Sequence, residues 1–289
     1  MKGVTFMNRK IKYIGIVIFS VVLCSLLHVI TPPALTSETP QNTLSALALL
    51  LGFPLTALLW MGIAYSCVAF VFYLIEDRIP GEKGARGFRY GISIGVLWLL
   101  GYVMCAPKFG NPFINEFVGG LCDAIPVVVM GWVLGLFTTK KDLTDTLNTF
   151  NKNQPFIGIV IFVLVFSIAR IVSYYMNIID TGFQVNTDYT LVWTIVMGFW
   201  LGIIYMLLGK TMTSSSALVS AVKFGFLLFG LTWGIFIMFF PLMLKGQLIN
   251  TILMFLIDTL SVTAAYYFSE ILLNRSPGVN HKCQTGMCK

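Results

Sequence analysis

Apolar residues along this chain fall in long blocks, and short polar stretches separate one block from the next. Crossing the hydrocarbon core of a bilayer takes about 20 helical residues, and this length identifies the candidate transmembrane helices. The chain contains eight such blocks, at roughly 11–31, 52–75, 88–107, 114–137, 156–178, 190–209, 218–244 and 247–273. Pro54 suits the first turn of the second helix, so residues 41–52 are predicted to form an interfacial segment before it. The pattern predicts an all-α, polytopic membrane protein.

Composition agrees with a membrane location. Of the 289 residues, 57% are hydrophobic and 11% are charged, and the mean hydropathy is +0.85. A soluble domain carries roughly 25% charged residues, so this chain could not cover its surface with polar groups in water. The lipid bilayer is therefore the first predicted partner, and the location that we predict is a prokaryotic cytoplasmic membrane.

Basic residues give the predicted orientation. With the N terminus in the cytoplasm, sixteen of the nineteen Lys and Arg residues lie on the cytoplasmic side. Lys108 and Lys245 then lie outside, and Arg170 lies within a span. Cytoplasmic loops of membrane proteins carry an excess of Lys and Arg, so both termini are predicted to be cytoplasmic. The same asymmetry accounts for the net charge of +7, and we therefore predict no nucleic-acid partner.

Two copies of one unit are indicated by the pentapeptide GIVIF, which occurs at Gly15 to Phe19 and again at Gly158 to Phe162. Rarer residues follow both copies in the same order, and the matches are Met61-Gly62 with Met197-Gly198, Gly91 with Gly225, Met104 and Pro107 with Met238 and Pro241, Ile114-Asn115 with Ile249-Asn250, and Asp123 with Asp258. We predict two four-helix repeats, 1–150 and 151–274, followed by a flexible cytoplasmic tail, 275–289. An even number of spans makes the repeats parallel, around an axis along the membrane normal.

Ionisable groups inside hydrocarbon are costly and are functional candidates by default. The predicted spans contain four of them: Asp123, Asp258, Arg170 and His28. At 1.5 Å per residue, Arg170 and both aspartates lie about 21–23 Å from the cytoplasmic helix ends, with His28 slightly nearer the outer surface. We expect one shared mid-membrane site that binds a cationic or zwitterionic solute or a proton, because one Arg cannot neutralise two Asp. The alternative is a static salt bridge that locks the two halves together.

Other polar residues carry weaker signals. Asn115, Asn250 and Glu116 lie at predicted outer helix ends and could form a polar rim. The chain has two histidines, so no His-rich metal or haem site and no cofactor is expected, and Cys24, Cys67, Cys105 and Cys122 are expected to act as small apolar residues. The tail contains His281, Cys283 and Cys288, but their spacing is not that of a zinc knuckle, and we predict a disordered tail without a metal.

Function is predicted from these groups alone. P-loop, GxSxG and HExxH patterns are absent from the sequence, so we do not expect an enzyme. The first hypothesis is a permease-like small-solute transporter with an Asp/Arg site and with proton coupling. The second is a non-catalytic membrane subunit, or an immunity or regulatory protein that binds other membrane proteins. An intramembrane enzyme with an aspartyl dyad is the third, but the Gly-x-Gly-Asp context of such a dyad is missing.

Overall fold

The computed structural model of the chain describes residues 2–31, 43–139 and 154–274. Within these ranges, eight helical stretches are long and apolar enough to cross a membrane. These spans are Arg9–Ile30, Phe53–Arg78, Lys83–Phe109, Phe113–Thr138, Phe156–Tyr175, Thr187–Met212, Ala217–Met243 and Leu248–Leu273. The eight predicted spans are confirmed as helices, and the architecture is that of a multi-pass helical membrane protein. The predicted tail, 275–289, lies outside the described residues.

Several spans are built from more than one helix. The α-helices are α1 (Lys2–Ile30), α2 (Ala46–Leu51), α3 (Phe53–Ile75), α4 (Lys83–Val103), α5 (Cys105–Phe109), α6 (Phe113–Thr138), α7 (Gln154–Tyr175), α8 (Thr187–Leu208), α9 (Ala217–Val222), α10 (Leu231–Ile237), α11 (Phe239–Met243) and α12 (Leu248–Asn274). Short 3₁₀ turns, Glu76–Arg78 and Gly209–Met212, continue α3 and α8. A π-helical stretch, Lys223–Gly230, joins α9 to α10 within the seventh span.

The predicted interfacial segment contains α2, which ends before the second span begins. The Ser45 side chain caps α2 by accepting a hydrogen bond from the N–H of Ala48. Gly52 separates α2 from α3 with φ +81°, a left-handed conformation that favours glycine. Pro54 lies in the first turn of α3, where its missing N–H costs nothing, and this part of the prediction is confirmed.

The third and seventh spans are interrupted at equivalent places. The helix α4 ends just before Met104 and α10 ends just before Met238, and each methionine precedes a proline, Pro107 or Pro241, by three residues. A proline ring clashes with the carbonyl group four residues earlier and cannot donate a hydrogen bond, so a helix ends or bends at that point. Both spans therefore continue as separate short helices, α5 and α11.

A glycine seam joins α4 to α6. Gly87 and Gly91 on α4 face Gly131 and Gly135 on α6, and the two backbones are in direct contact. A methyl group added at Gly131 would lie 2.6 Å from the carbonyl oxygen of Gly87, and one added at Gly87 would lie 2.8 Å from Cα of Gly135. Small residues allow this close approach between membrane helices, and the seam fixes α6 relative to the third span.

The contacts between the other spans define the interior of the helix bundle. The first span packs against the second and fourth, and the fifth packs against the sixth and eighth. The second span also contacts the seventh, and the third contacts the sixth. In the interior lies an aromatic cluster, which we define as Trp60, Tyr65, Trp98, Trp233 and Phe236. Trp98 and Trp233 are fully buried, and their ring centroids lie 5.4 and 5.6 Å from that of Phe236.

Candidate functional site

Arg170 on α7 and Asp258 on α12 form a fully buried ion pair. The guanidinium Nε donates to Oδ1 of Asp258 and Nη2 donates to Oδ2, and both distances are 2.5 Å. Neither side chain is exposed to solvent. The side-on, two-bond arrangement matches the planar fork of arginine to both carboxylate oxygens, which is the strongest geometry for such a pair.

Side chains of the same span and of neighbouring spans complete the surroundings of this pair. The indole N–H of Trp233 donates to Oδ2 of Asp258 over 2.8 Å. On the arginine side, Nη1 lies 3.4 Å from the hydroxyl of Tyr174, and Cζ lies 5.2 Å from the Trp193 ring centroid. Aromatic faces attract a guanidinium, so the cation is held by a carboxylate, a hydroxyl and a ring together. Such a saturated pair is suited to holding helices together.

Asp123 on α6 belongs to a second group. Its side chain is 1% exposed, and its Oδ1 accepts a hydrogen bond from the thiol of Cys24 over 3.0 Å and lies 3.3 Å from Nε2 of His28. The other oxygen, Oδ2, is buried and makes no well-formed hydrogen bond among the described residues, and the Tyr102 hydroxyl lies near this carboxyl group. Cys24 and His28 are four residues apart on α1 and therefore lie on one face of the helix, towards α6.

The structure thus divides the predicted site into two groups. Arg170 contacts Asp258, and His28 contacts Asp123, because α7 packs against α12 whereas α1 packs against α6. The aromatic cluster connects the two groups. At one end, the Tyr65 hydroxyl donates to the backbone carbonyl of Asp123 over 3.1 Å. At the other end, the indole N–H of Trp233 donates to Asp258. One site shared by both aspartates is replaced by two sites with different partners.

The hydrogen bonds described for the predicted polar rim go to residues outside it. Asn250 binds the backbone of Asp180 in both directions: its Oδ1 accepts from the N–H over 2.8 Å, and its Nδ2 donates to the carbonyl over 3.0 Å. Glu116 is buried and accepts a hydrogen bond from Nδ2 of Asn111 over 2.5 Å. Asn115 is partly exposed. These contacts fasten loops to helix ends, which is a structural role.

Glu76 is a buried acid that lies one residue beyond the predicted end of the second span. Its side chain is 1% exposed, and it forms an ion pair with Arg9. Its Oε2 accepts hydrogen bonds from Tyr13 over 2.9 Å and from Thr138 over 3.1 Å, so the acid joins the first, second and fourth spans. The sequence contained a signal for this burial. Glu76 follows Phe72 by four residues and therefore lies on the same helix face as the buried residues of α3.

One concave surface of the molecule contains neither aspartate. It is a groove of about 910 Å³ between the first and second spans. Its lining is mostly apolar, and Ile14, Ile18 and Leu58 within it are exposed on the outside of the helix bundle. Exposed apolar side chains on membrane spans contact lipid, so acyl chains account for this groove without any further ligand.

Comparison with known proteins provides no relative from which a function could be transferred. The sequence matches no protein-family model, and no curated protein and no solved structure matches it. The fold and the buried ionisable groups define a multi-pass helical membrane protein. Its particular function has to be argued from the site itself.

Proposed function

We propose that the protein is a permease-like carrier for a small cation or cationic solute, with Asp123 as the acid that binds the substrate or a proton. The observation that supports this proposal is the buried Oδ2 of Asp123, which makes no well-formed hydrogen bond among the described residues. A buried carboxylate that lacks partners is costly, and a bound cation or proton removes the cost. Asp258 differs, since Arg170 already neutralises it. Of the two matched aspartates, Asp123 is therefore the better candidate for exchange with a solute.

Two four-helix repeats are part of the proposal, and the pairing of ionisable groups supports them. The contact between His28 and Asp123 joins the first span to the fourth. The contact between Arg170 and Asp258 joins the fifth span to the eighth, which are the same two positions in the second repeat. The second repeat would then hold Arg170 permanently opposite Asp258. The first repeat would offer Asp123 as an acid that can exchange its partner.

Hydrogen bonds between the halves also support two repeats. The indole of Trp60 on the second span donates to the carbonyl of Ile235 on the seventh, over 2.8 Å. The indole of Trp193 on the sixth span donates to the carbonyl of Leu100 on the third, over 2.7 Å. A two-fold axis that exchanges the repeats would exchange the spans that these bonds join, with the two donor tryptophans three positions apart in the register of the repeat. Carriers with parallel repeats work by rocking one half against the other around a central site.

The separate roles of the two acids determine the experiment. Substituting both aspartates at once would leave the buried guanidinium of Arg170 unpaired and would confuse loss of fold with loss of function. The test is therefore Asp123→Asn alone, in purified protein reconstituted into lipid vesicles. Uptake of small amines and of divalent cations is followed with and without an imposed pH gradient. Asp77→Asn is the matched control, because Asp77 is an exposed acid at the end of the second span.

We expect the wild-type protein and the control to transport at least one of these cations. Asp123→Asn is expected to lower the flux by about 100-fold or more, while the protein stays monodisperse in detergent. Transport by Asp123→Asn at the wild-type rate, or no flux of any cation with the wild-type protein, would remove the proposal.

A structural or partner-binding subunit is the second candidate. The observation that favours it is the saturated contact between Arg170 and Asp258, which is what a purely structural pair requires. Solubilisation in a mild detergent separates the two candidates. A stoichiometric membrane-protein partner, together with no solute binding by the isolated chain, would favour the subunit.

A further inference from the structure

Three side chains of different chemistry meet near the end of α1. The Sγ of Cys24, a ring nitrogen of His28 and a carboxylate oxygen of Asp123 lie within 4.8 Å of one another. Thiolate, imidazole and carboxylate are the side-chain ligands that bind Zn²⁺ in proteins. No metal site was predicted from the sequence, because Cys24 and His28 alone do not form a recognisable metal-binding motif. That third residue is 99 positions from Cys24 along the chain.

The spacing of the ligand atoms is close to that of a tetrahedral site. Bond lengths of about 2.0–2.3 Å at tetrahedral angles place an oxygen about 3.4 Å from a nitrogen ligand and about 3.6 Å from a sulfur ligand. In the structure, Oδ1 of Asp123 lies 3.3 Å from Nε2 of His28 and 3.0 Å from Sγ of Cys24. The third edge, from Sγ of Cys24 to the His28 ring nitrogen, is at most 4.8 Å, against about 3.6 Å in a tetrahedral site. Side-chain adjustments of up to about an ångström would therefore complete three corners of a tetrahedron.

The three ligand side chains differ in their burial. Cys24 and Asp123 are buried, whereas 37% of the His28 side chain is exposed, two residues before α1 ends. His28 is therefore the most accessible of the three ligands. The hydroxyl of Tyr65 donates to the backbone carbonyl of Asp123 and helps to hold this part of α6 in place. Three protein ligands leave a fourth position free, as in zinc sites where the metal exchanges a ligand.

Charge decides which cation fits. A metal ion deprotonates a coordinating thiol, so the ligands would provide one thiolate, one carboxylate and one neutral imidazole. A divalent ion makes this group neutral, and a neutral group is the least costly inside a membrane. Sulfur and nitrogen ligands favour transition metals over Mg²⁺ and Ca²⁺, which prefer oxygen.

We propose that Cys24, His28 and Asp123 bind a divalent first-row transition metal ion of the Zn²⁺ type. This site would define the class of cation that Asp123 binds in the proposed carrier, and in that respect the inference rests on the proposed function. Binding is nevertheless a property of the folded chain, and it can be measured without transport.

The test is a titration of the purified full-length chain with Co²⁺, a spectroscopic substitute for Zn²⁺. His281→Gln, Cys283→Ser and Cys288→Ser form the background, because these soft ligands lie outside the described residues and could bind metal themselves. We expect about one Co²⁺ per chain, with visible absorption bands of tetrahedral cobalt and a near-ultraviolet thiolate-to-cobalt band. Excess Zn²⁺ should remove both signals.

Substitutions then locate the ligands. In the same background, Cys24→Ser should abolish the thiolate band, and His28→Gln and Asp123→Asn should each weaken binding by about 100-fold or more. Cys122→Ser is the matched control, because Cys122 is the neighbour of Asp123 on α6 and its thiol instead contacts Thr31 over 3.2 Å. Of the three ligand substitutions, His28→Gln is expected to disturb folding least, because the His28 side chain is partly exposed.

The outcomes separate this inference from the carrier hypothesis. Cobalt binding that depends on Cys24 and His28, without any flux in vesicles, would support the metal site and remove the carrier. Flux that depends on Asp123, without a thiolate band in the background protein, would overturn the metal site and keep the carrier. An unchanged thiolate band in Cys24→Ser would also overturn the metal site.

Discussion

Arg170 and Asp258 are joined by two hydrogen bonds, each 2.5 Å long, between side chains that have no exposed surface. The two residues lie 88 positions apart along the chain and connect the fifth span to the eighth. Among the described residues, no other charged side chain forms an ion pair with either group. The two charges therefore depend on each other for their place in the interior.

Breaking this pair from one side should destabilise the fold. Arg170→Met and Asp258→Asn each leave a buried group without its partner, and we expect each to lower the free energy of unfolding by about 3–5 kcal/mol. Replacing both residues, as Arg170→Met with Asp258→Leu, should recover most of that loss. Unfolding in detergent provides the measurement. Single variants as stable as the parent, or a double variant no better than the singles, would contradict this account of the pair.

Glu76 should contribute to stability although it follows the predicted end of its span. Glu76→Ala removes the acceptor of Tyr13 and Thr138 and leaves Arg9 without its acid, so we expect a loss of about 3 kcal/mol. Asp77→Ala is the control, because this exposed neighbour should change stability by less than about 0.5 kcal/mol. Equal effects of the two substitutions, measured by the same unfolding assay, would show that Glu76 behaves as a surface residue.

Substituting alanine for glycine should lower the stability of the protein at a closely packed position and raise it at an open one. Gly131→Ala forces a methyl group against the backbone of α4, and we expect a loss of about 1–3 kcal/mol. Gly62→Ala places its methyl group where nothing lies within 4 Å, and the better helix propensity of alanine should stabilise the second span by up to about 1 kcal/mol. The difference in unfolding free energy between the two variants tests the seam. A stable Gly131→Ala protein would rule out direct backbone contact there.

Orientation in the membrane is predicted from the basic residues and can be checked by labelling. Asp77→Cys and Gln184→Cys introduce exposed thiols at the ends of different spans. They are made in a background in which the six native cysteines are replaced. A membrane-impermeant thiol reagent added to intact cells should label only Gln184→Cys, and both should react after lysis. Labelling of Asp77→Cys in intact cells would reverse the predicted topology.

The features that follow from local sequence were predictable. Each span is a continuous apolar block, and its length is visible without any tertiary information. The break before Met104 also has a local cause, because Pro107 lacks an N–H and its ring clashes with the carbonyl group of Val103. For the same reason, the position of Pro54 in the first turn of α3 followed from the sequence.

The partners of the buried charges were not predictable in this way. Depth along a helix can be counted, but the rotation of each helix and the choice of its neighbours depend on packing across the whole bundle. Arg170 had two aspartates at a similar depth, and only the packing of α7 against α12 selects Asp258. The thiol of Cys24 was assigned an apolar role because Asp123 lies far away in sequence.

The glycine seam between α4 and α6 has a consequence for any motion of the molecule. Backbones in direct contact over two helical turns cannot slide or tilt past each other without losing that contact, so the third and fourth spans must travel as one rigid body. Asp123 is carried on that body, whereas Cys24 and His28 belong to the first span. A rocking movement that separates the first span from the fourth would pull the three side chains apart, and the hold on a captured ion would be released by geometry alone.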